Sequence, residues 1–268
     1  MKTIAIIGCG NMGLIYANSF LQYKIASNEQ VLLVEKDEER RRMLAELRIG
    51  KVVAADDPQI STCRIILLAV KPQDFRALAP SLKTLIHKDC VILSIMAGTE
   101  MAFIGAELNH QTIVRAMPNL PVAVGMGMTA FTCSSQLLPE QIREVELLLA
   151  ATGKTIYLQE EEQLNAVTAL SGSGPAYFFY FVKSLVDAGI SLGLDREVAS
   201  VLARQTMLGS FHLISKGQKT LDEYIASVAS KGGTTEAALN TFAEHGMHDT
   251  IMEAVYNAAK RAKALSIK

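Results

Sequence analysis

Only four cysteines and five histidines occur among the 268 residues. Cys9, Cys63, Cys90 and Cys133 are widely spread, without a CxxC pair, and no histidine has ligand spacing. The sequence therefore predicts reduced thiols and no metal. Neither end carries a run of like charges, and the formal net charge is −1. That balance argues against nucleic acid or an acidic membrane surface as a partner. The longest uncharged apolar runs, such as Ile65 to Val70, are too short to span a bilayer. Met1-Lys2-Thr3 leads straight into Ile4-Ala5-Ile6-Ile7, without the apolar core and cleavage site of a signal peptide. A cytoplasmic protein is expected. The chain also lacks internal repeats, low-complexity segments, a Ser-His-Asp set, a carboxylate pair and a His-Lys dyad. His87, His110, His212, His245 and His248 read as ordinary surface or core residues.

Apolar residues, by contrast, make up 50% of the chain, enough for a sizeable core and for two domains. The first half alternates short apolar runs with helical patterns. Strands are predicted at Thr3–Ile7, Val31–Val34, Val52–Val53, Ile65–Val70, Val91–Ile95 and Ile113–Met117, with a fading signal at Ile156–Leu158. Helices are predicted over Asn11–Tyr23, Glu38–Leu47, Gln73–Ile86 and from Leu138-Pro139-Glu140 to about Ala151. Asp57-Pro58 reads as a helix start. Continuously apolar strands separated by helices imply a mostly parallel sheet covered on both faces, the doubly wound α/β or Rossmann pattern.

From Glu160 onward only helical patterns remain. Thr220 to Glu223 fits a capping box and Asp195 an N-cap. The expected division is a dinucleotide-binding domain over 1–158 and an all-helical domain over 159–268. Tyr177–Val182 (YFFYFV) is apolar around the whole helix circumference, so it must be buried on all sides. A helical domain this small offers little interior, which places much of that burial between subunits of a homo-oligomer.

Gly8-Cys9-Gly10-Asn11-Met12-Gly13 is a GxGxxG pattern directly after the first strand and opening the first helix. Gly8 permits the tight turn, Gly10 lets the backbone approach a pyrophosphate, and Gly13 lets helix and strand pack closely. The helix start then holds phosphate. Glu35, at the end of the second strand, is placed to accept hydrogen bonds from ribose hydroxyls and to repel a 2′-phosphate, which favours NADH. Lys36 and Arg40 stand nearby, and either is able to pair with a 2′-phosphate. Ala69-Val70-Lys71-Pro72 closes the fourth strand, where ligands of such sheets bind.

Two segments are unusual inside a helical region. Leu170-Ser171-Gly172-Ser173-Gly174-Pro175-Ala176-Tyr177 carries two glycines and a proline. Ser230-Lys231-Gly232-Gly233-Thr234-Thr235-Glu236 sets a Gly-Gly turn before a helix start, whose free N–H groups suit a carboxylate. Helix packing and an ordinary cap are the plainer readings of the two.

Taken together, GCGNMG, AVKP, SIMAG (Ser94–Gly98), RAMPNLP (Arg115–Pro121), ALSGSGPAY (Ala169–Tyr177) and GGTTEAAL (Gly232–Leu239) resemble the pyrroline-5-carboxylate reductase family, in order and spacing. The resemblance implies reduction of (S)-1-pyrroline-5-carboxylate by NAD(P)H to L-proline. It implies cofactor contacts at Ile7, Gly8 to Gly13, Glu35, Lys36, Asp56, Ala69 to Pro72, Met96, Ala97 and Gly98. It implies a substrate site built from Met117, Pro118, Asn119, Ser173, Gly232, Gly233, Thr234 and Thr235, with Thr235 orienting the ring nitrogen. It also implies a dimer of intertwined helical domains, often assembled into decamers. Three positions depart from the family pattern. Lys231 stands where proline usually precedes Gly-Gly. Asp56 replaces a common asparagine, and Glu35 a small or basic residue; both changes lean toward NADH. The chief alternatives are a β-hydroxyacid dehydrogenase, whose GxxxNxxK helix is absent here (after Gly172 the helix carries Pro175 and Phe179, with Lys183 too far along), and a non-enzymatic NAD(P)H-binding regulator.

Overall fold

A computed structural model describes residues 3–266; the Met1-Lys2 start considered above lies outside them. β1 (Ile4–Ile7) turns into α1 (Asn11–Gln22), and β2 (Val31–Val34) into α2 (Glu38–Glu46). β3 (Lys51–Val53) and β4 (Ile65–Leu68) flank a short 3-10 turn capped by Asp57. α3 (Pro72–Leu85), β5 (Val91–Ser94), α4 (Met101–Leu108) and β6 (Ile113–Met117) follow. β7 (Gly127–Cys133), α5 (Pro139–Ala150) and β8 (Gly153–Tyr157) complete the α/β part. Thereafter the described residues are helical: α6 (Gln163–Val167), a π-helical turn over Thr168–Gly172, α7 (Gly174–Ser191), α8 (Arg196–Ser215), α9 (Leu221–Val228), α10 (Thr234–Glu244) and α11 (Met247–Leu265).

Among the described residues the strands form one sheet in the order β3-β2-β1-β4-β5-β6-β7-β8. Its first six positions are parallel, and β7 runs antiparallel to β6. β8 pairs parallel with β7. The mostly parallel Rossmann sheet and the helical remainder are as expected. β7 and α4 went unforeseen, because β7 (GMTAFTC) mixes glycine and threonine with its apolar residues and α4 is short. The apolar run from Ile65 continues to Val70, but pairing stops at Leu68. Pro72 opens α3 and holds Lys71 extended, so the chain leaves the sheet there.

Alternation along the strands feeds two cores, one on each face. Ile4, Ile6, Leu33, Leu67 and Leu93 pack with Tyr16 and Phe20 of α1 and Val145 and Leu149 of α5. Ala5, Ile7, Leu32, Ile66 and Ile92 pack with Phe75 and Leu82 of α3 and Phe103 and Ile104 of α4.

The chain forms two compact units, one up to Ser173 plus the residues from Ala258 onward, the other Gly174–Asn257. The division falls later than the end of the strand pattern near 158. α6 and the π-helical turn still belong to the sheet's unit: Asn119 Nδ2 donates to Ser171 Oγ at 3.2 Å, and a Cβ on Gly172 would lie 2.7 Å from Met117 Cε. In the second unit α7 packs on α8 through Val186, Ala199 and Ala203. The apolar stripe expected to be buried on all sides is open within the single chain, Phe178 being 58%, Phe179 61% and Tyr180 73% exposed.

Candidate functional site

The end of β1 sets the first part of the site. Gly8 has φ +98°, and a Cβ there would meet Val70 N at 2.8 Å, so the turn needs glycine. A Cβ on Gly13 would collide with the Gly8 carbonyl oxygen. On Gly10 it would meet nothing within 4 Å, which leaves open space at the N-terminus of α1. These are the three separate roles a dinucleotide-binding turn requires. The first-turn amides of α1 have no helical acceptors and suit phosphate oxygens.

A groove of about 770 Å³ opens from this turn. Ile7, Gly8, Cys9, Gly10, Glu35, Lys36, Ala69, Val70 and Lys71 all line it. Asn11, Met12, Gly13, Pro72, Met96, Ala97, Gly98 and Asp56 do not; Asp56 is exposed, one position beyond the lining Ala55. Gly98 has φ +65°, and a Cβ there would lie 3.1 Å from the Leu265 carbonyl oxygen, so the end of α11 abuts this loop. A second groove, of about 850 Å³, lies beside His110 and Ser134 and carries none of the expected site residues. The glycine geometry, rather than groove size, makes the first the candidate cofactor groove. Its residues fit a nicotinamide dinucleotide.

Charge at the end of β2 is already paired. Glu35 Oε1 accepts the amides of Lys36 at 2.9 Å and Asp37 at 3.3 Å. Arg40 Nε lies 3.4 Å from Glu35 Oε2, and Lys36 Nζ 3.2 Å from Asp74 Oδ1. The Cys9 thiol is pushed up to about 12 by burial and by Glu35, with Arg40 opposing, so it is no nucleophile.

Four expected substrate residues lie in the same unit. Pro118 is buried, and Met117, Asn119 and Ser173 are half-buried. Asn119 Oδ1 accepts the Met128 amide at 2.9 Å, which fixes its side chain between β7 and Ser171.

The other four lie in the second unit. Gly232 has φ +73°, and its amide donates to Glu236 Oε2 at 2.7 Å. Gly233 is the N-cap of α10, and its amide donates to Ser230 O. Ala237 N makes the first helical bond, to Gly233 O. The amides of Thr234, Thr235 and Glu236 therefore head the helix with no carbonyl of their own turn to bond. Gly232 contributes its conformation, its N–H being engaged by Glu236.

Comparison with known proteins decides the family. Residues 161–265 match the family described as pyrroline-5-carboxylate reductase dimerisation, and residues 3–98 match NADP oxidoreductase coenzyme F420-dependent. Pyrroline-5-carboxylate reductase of Aquifex aeolicus is 37% identical over 98% of this chain and 97% of its own length. The chain belongs to the pyrroline-5-carboxylate reductase family. A pyrroline-5-carboxylate reductase structure from Coxiella burnetii superposes with TM-score 0.90 at 27% identity, covering 100% of this chain and 99% of that one. The Plasmodium falciparum pyrroline carboxylate reductase, solved with NADP bound, gives 0.89 at 25% identity, covering 99% and 98%.

Within this family member, several groups near the motifs had escaped the sequence reading. Arg40, expected only as a partner for a 2′-phosphate, also donates from Nη2 to the Cys9 carbonyl at 2.7 Å and ties α2 to the glycine turn. Asp74, in the first turn of α3, is one of those missed, and its carboxylate accepts from Lys36 Nζ. Glu161 and Glu236 reach back to backbone amides of neighbouring segments. The one available signal was Glu236, three residues after the Gly233 N-cap, as in a capping box. For the others the partners are far apart in sequence.

Proposed function

We propose that this protein reduces (S)-1-pyrroline-5-carboxylate to L-proline, the closing step of proline biosynthesis, with NAD(P)H as the donor. What carries the reading is one chain holding both an open glycine turn at Gly10 and a helix start after Gly233 at which the Thr234, Thr235 and Glu236 amides have no carbonyl of their own turn to bond. The full-length kinship supports it.

A nicotinamide, when bound, supplies the hydride. The amides at the start of α1 hold its phosphates. The Thr234 to Glu236 amides receive the substrate carboxylate without any arginine. The Thr235 hydroxyl hydrogen-bonds the ring nitrogen. A protonated cyclic imine is already electrophilic, so alignment rather than an acid–base pair is what the protein must provide.

NADH is proposed to serve at least as well as NADPH. Both cations able to take a 2′-phosphate, Lys36 and Arg40, are engaged with carboxylates, and Glu35 lines the groove. The homo-oligomer is proposed to be a dimer formed through the second unit, with decamers built from it, because a wide apolar stripe on α7 otherwise faces water. Cytoplasmic residence agrees with four free thiols. A β-hydroxyacid dehydrogenase reading gains nothing from Lys183, which is exposed and paired with Asp187.

The test is NADH oxidation on adding pyrroline-5-carboxylate, set beside reverse assays with 3-hydroxy acids and NAD+. Turnover of hydroxy acids alone, or of neither, would sink the proposal.

A further inference from the structure

Arg115 is a charged side chain almost wholly removed from water, 4% exposed, on β6 between Ser94 of β5 and Thr132 of β7. A guanidinium in such a place requires a partner. Glu161 provides it, with Oε1 accepting from Arg115 Nη1 at 2.9 Å. The same oxygen accepts the Met101 amide at 2.8 Å, at the first residue of α4. One carboxylate oxygen thus joins three chain segments. Met101 follows the Met96–Gly98 loop, Arg115 leads into Met117–Asn119, and Glu161 opens the path to the π-helical turn and Ser173. Each segment bears residues proposed for cofactor or substrate.

The rest of this region is pinned locally. Asn119 holds Ser171, and Met117 fills the space over Gly172. Sheet pairing already sets the end of β5 beside β6 at Ser94 and Arg115, and beyond it Glu161 adds the side-chain hydrogen bonds that join the start of α4 to Arg115. A buried ion pair adds little net stability compared with apolar packing, but it fixes geometry.

We propose that Glu161, acting through Arg115 and the Met101 amide, is a positioning residue that sets the Met96–Gly98 loop in register with Met117–Asn119. This rests on the reading that those two segments face cofactor and substrate.

The experiment compares E161A, E161Q, E161D, the double variant R115A/E161A and N119A in the full-length protein. Steady-state kinetics are run well below each melting temperature. E161A should lower kcat about 10- to 100-fold while the KM for NADH moves less than about threefold, since misalignment of about 1 Å costs rate more than binding. E161Q keeps an acceptor oxygen at the same reach and should recover to within about threefold of the parent. The double variant should be no slower than E161A, because the two side chains act as one unit. Should E161A fail to fold, E161D serves, since it keeps the charge but withdraws the carboxylate by one methylene; its kcat should drop about 10-fold. A lowered melting temperature with parent-like kcat/KM in E161A or E161D would overturn the positioning role, as would E161Q as slow as E161A. A defect in N119A alone would remove the role of Glu161 and leave the site reading standing. Parent-like kinetics in N119A and E161A together would remove both.

Discussion

Arg40 approaches Glu35 Oε2 at 3.4 Å through Nε, while Nη2 donates to the Cys9 carbonyl at 2.7 Å. One guanidinium thereby links the acidic end of β2 to the glycine turn after β1. Removing the carboxylate frees that cation for a 2′-phosphate. Glu35→Ser is expected to shift the kcat/KM ratio toward NADPH by ~1–3 kcal/mol. Steady-state kinetics with both cofactors decide it. A strong NADPH preference in the unmodified protein would show that Arg40 or Lys36 outweighs Glu35.

The glycines of the turn separate binding from folding. Gly10→Ala adds a methyl in open space, so the melting temperature should hold while dinucleotide affinity falls. Gly13→Ala drives a methyl into the Gly8 carbonyl and should destabilise the fold by about 1–3 kcal/mol. Calorimetry with and without NADH separates the two. Equal losses of stability would contradict the assignment of Gly10 to the phosphate.

Thr235→Val keeps shape and β-branching and deletes the hydroxyl. If the hydroxyl orients the imine, kcat/KM should fall ~10- to 1000-fold, since one charge-assisted hydrogen bond is worth about 1.5–3 kcal/mol and misalignment adds to it. NADH affinity should barely change. A variant with near-normal kcat/KM and a lower melting temperature would make Thr235 a cap and leave orientation to the amides.

Assembly follows from the stripe on α7. No stable monomer is expected, because Phe178, Phe179 and Tyr180 together expose a patch large enough to drive association. Sedimentation at sub-micromolar concentration would read this directly. A well-folded 29.1 kDa species would refute it.

Alkaline pH should weaken the fold through its thiols. Burial pushes Cys63, Cys90 and Cys133 from 9.0 up to about 12, and burial with Glu35 does the same for Cys9. Native thiols then keep protons that unfolded ones release, so stability falls as pH rises. Their contribution is whole below pH 9.0 and drains away toward about 12. Melting curves across that window should fall less steeply for Cys63→Ala than for the parent. Matching slopes would count against it.

The sequence by itself determined the sheet, the glycine turn and the helical second half. Each is written in local terms: uninterrupted apolar strands, glycines with one steric job apiece, and caps such as Thr220 with Glu223. Tertiary structure alone decided the rest. β7 carries a weak strand pattern and is held by pairing with β6 and β8. The π-helical turn stays with the first unit because Asn119 and Met117 hold it, which no residue near 158 announces. Arg115 and Glu161 are 46 positions apart, Lys36 and Asp74 38. A side chain's charge is legible from sequence, but its partner across such a distance is set by where the packed sheet and helices bring the backbone. That is why the type of site could be read from the residues, while the neutralisation of its charges and the ties between its loops could not.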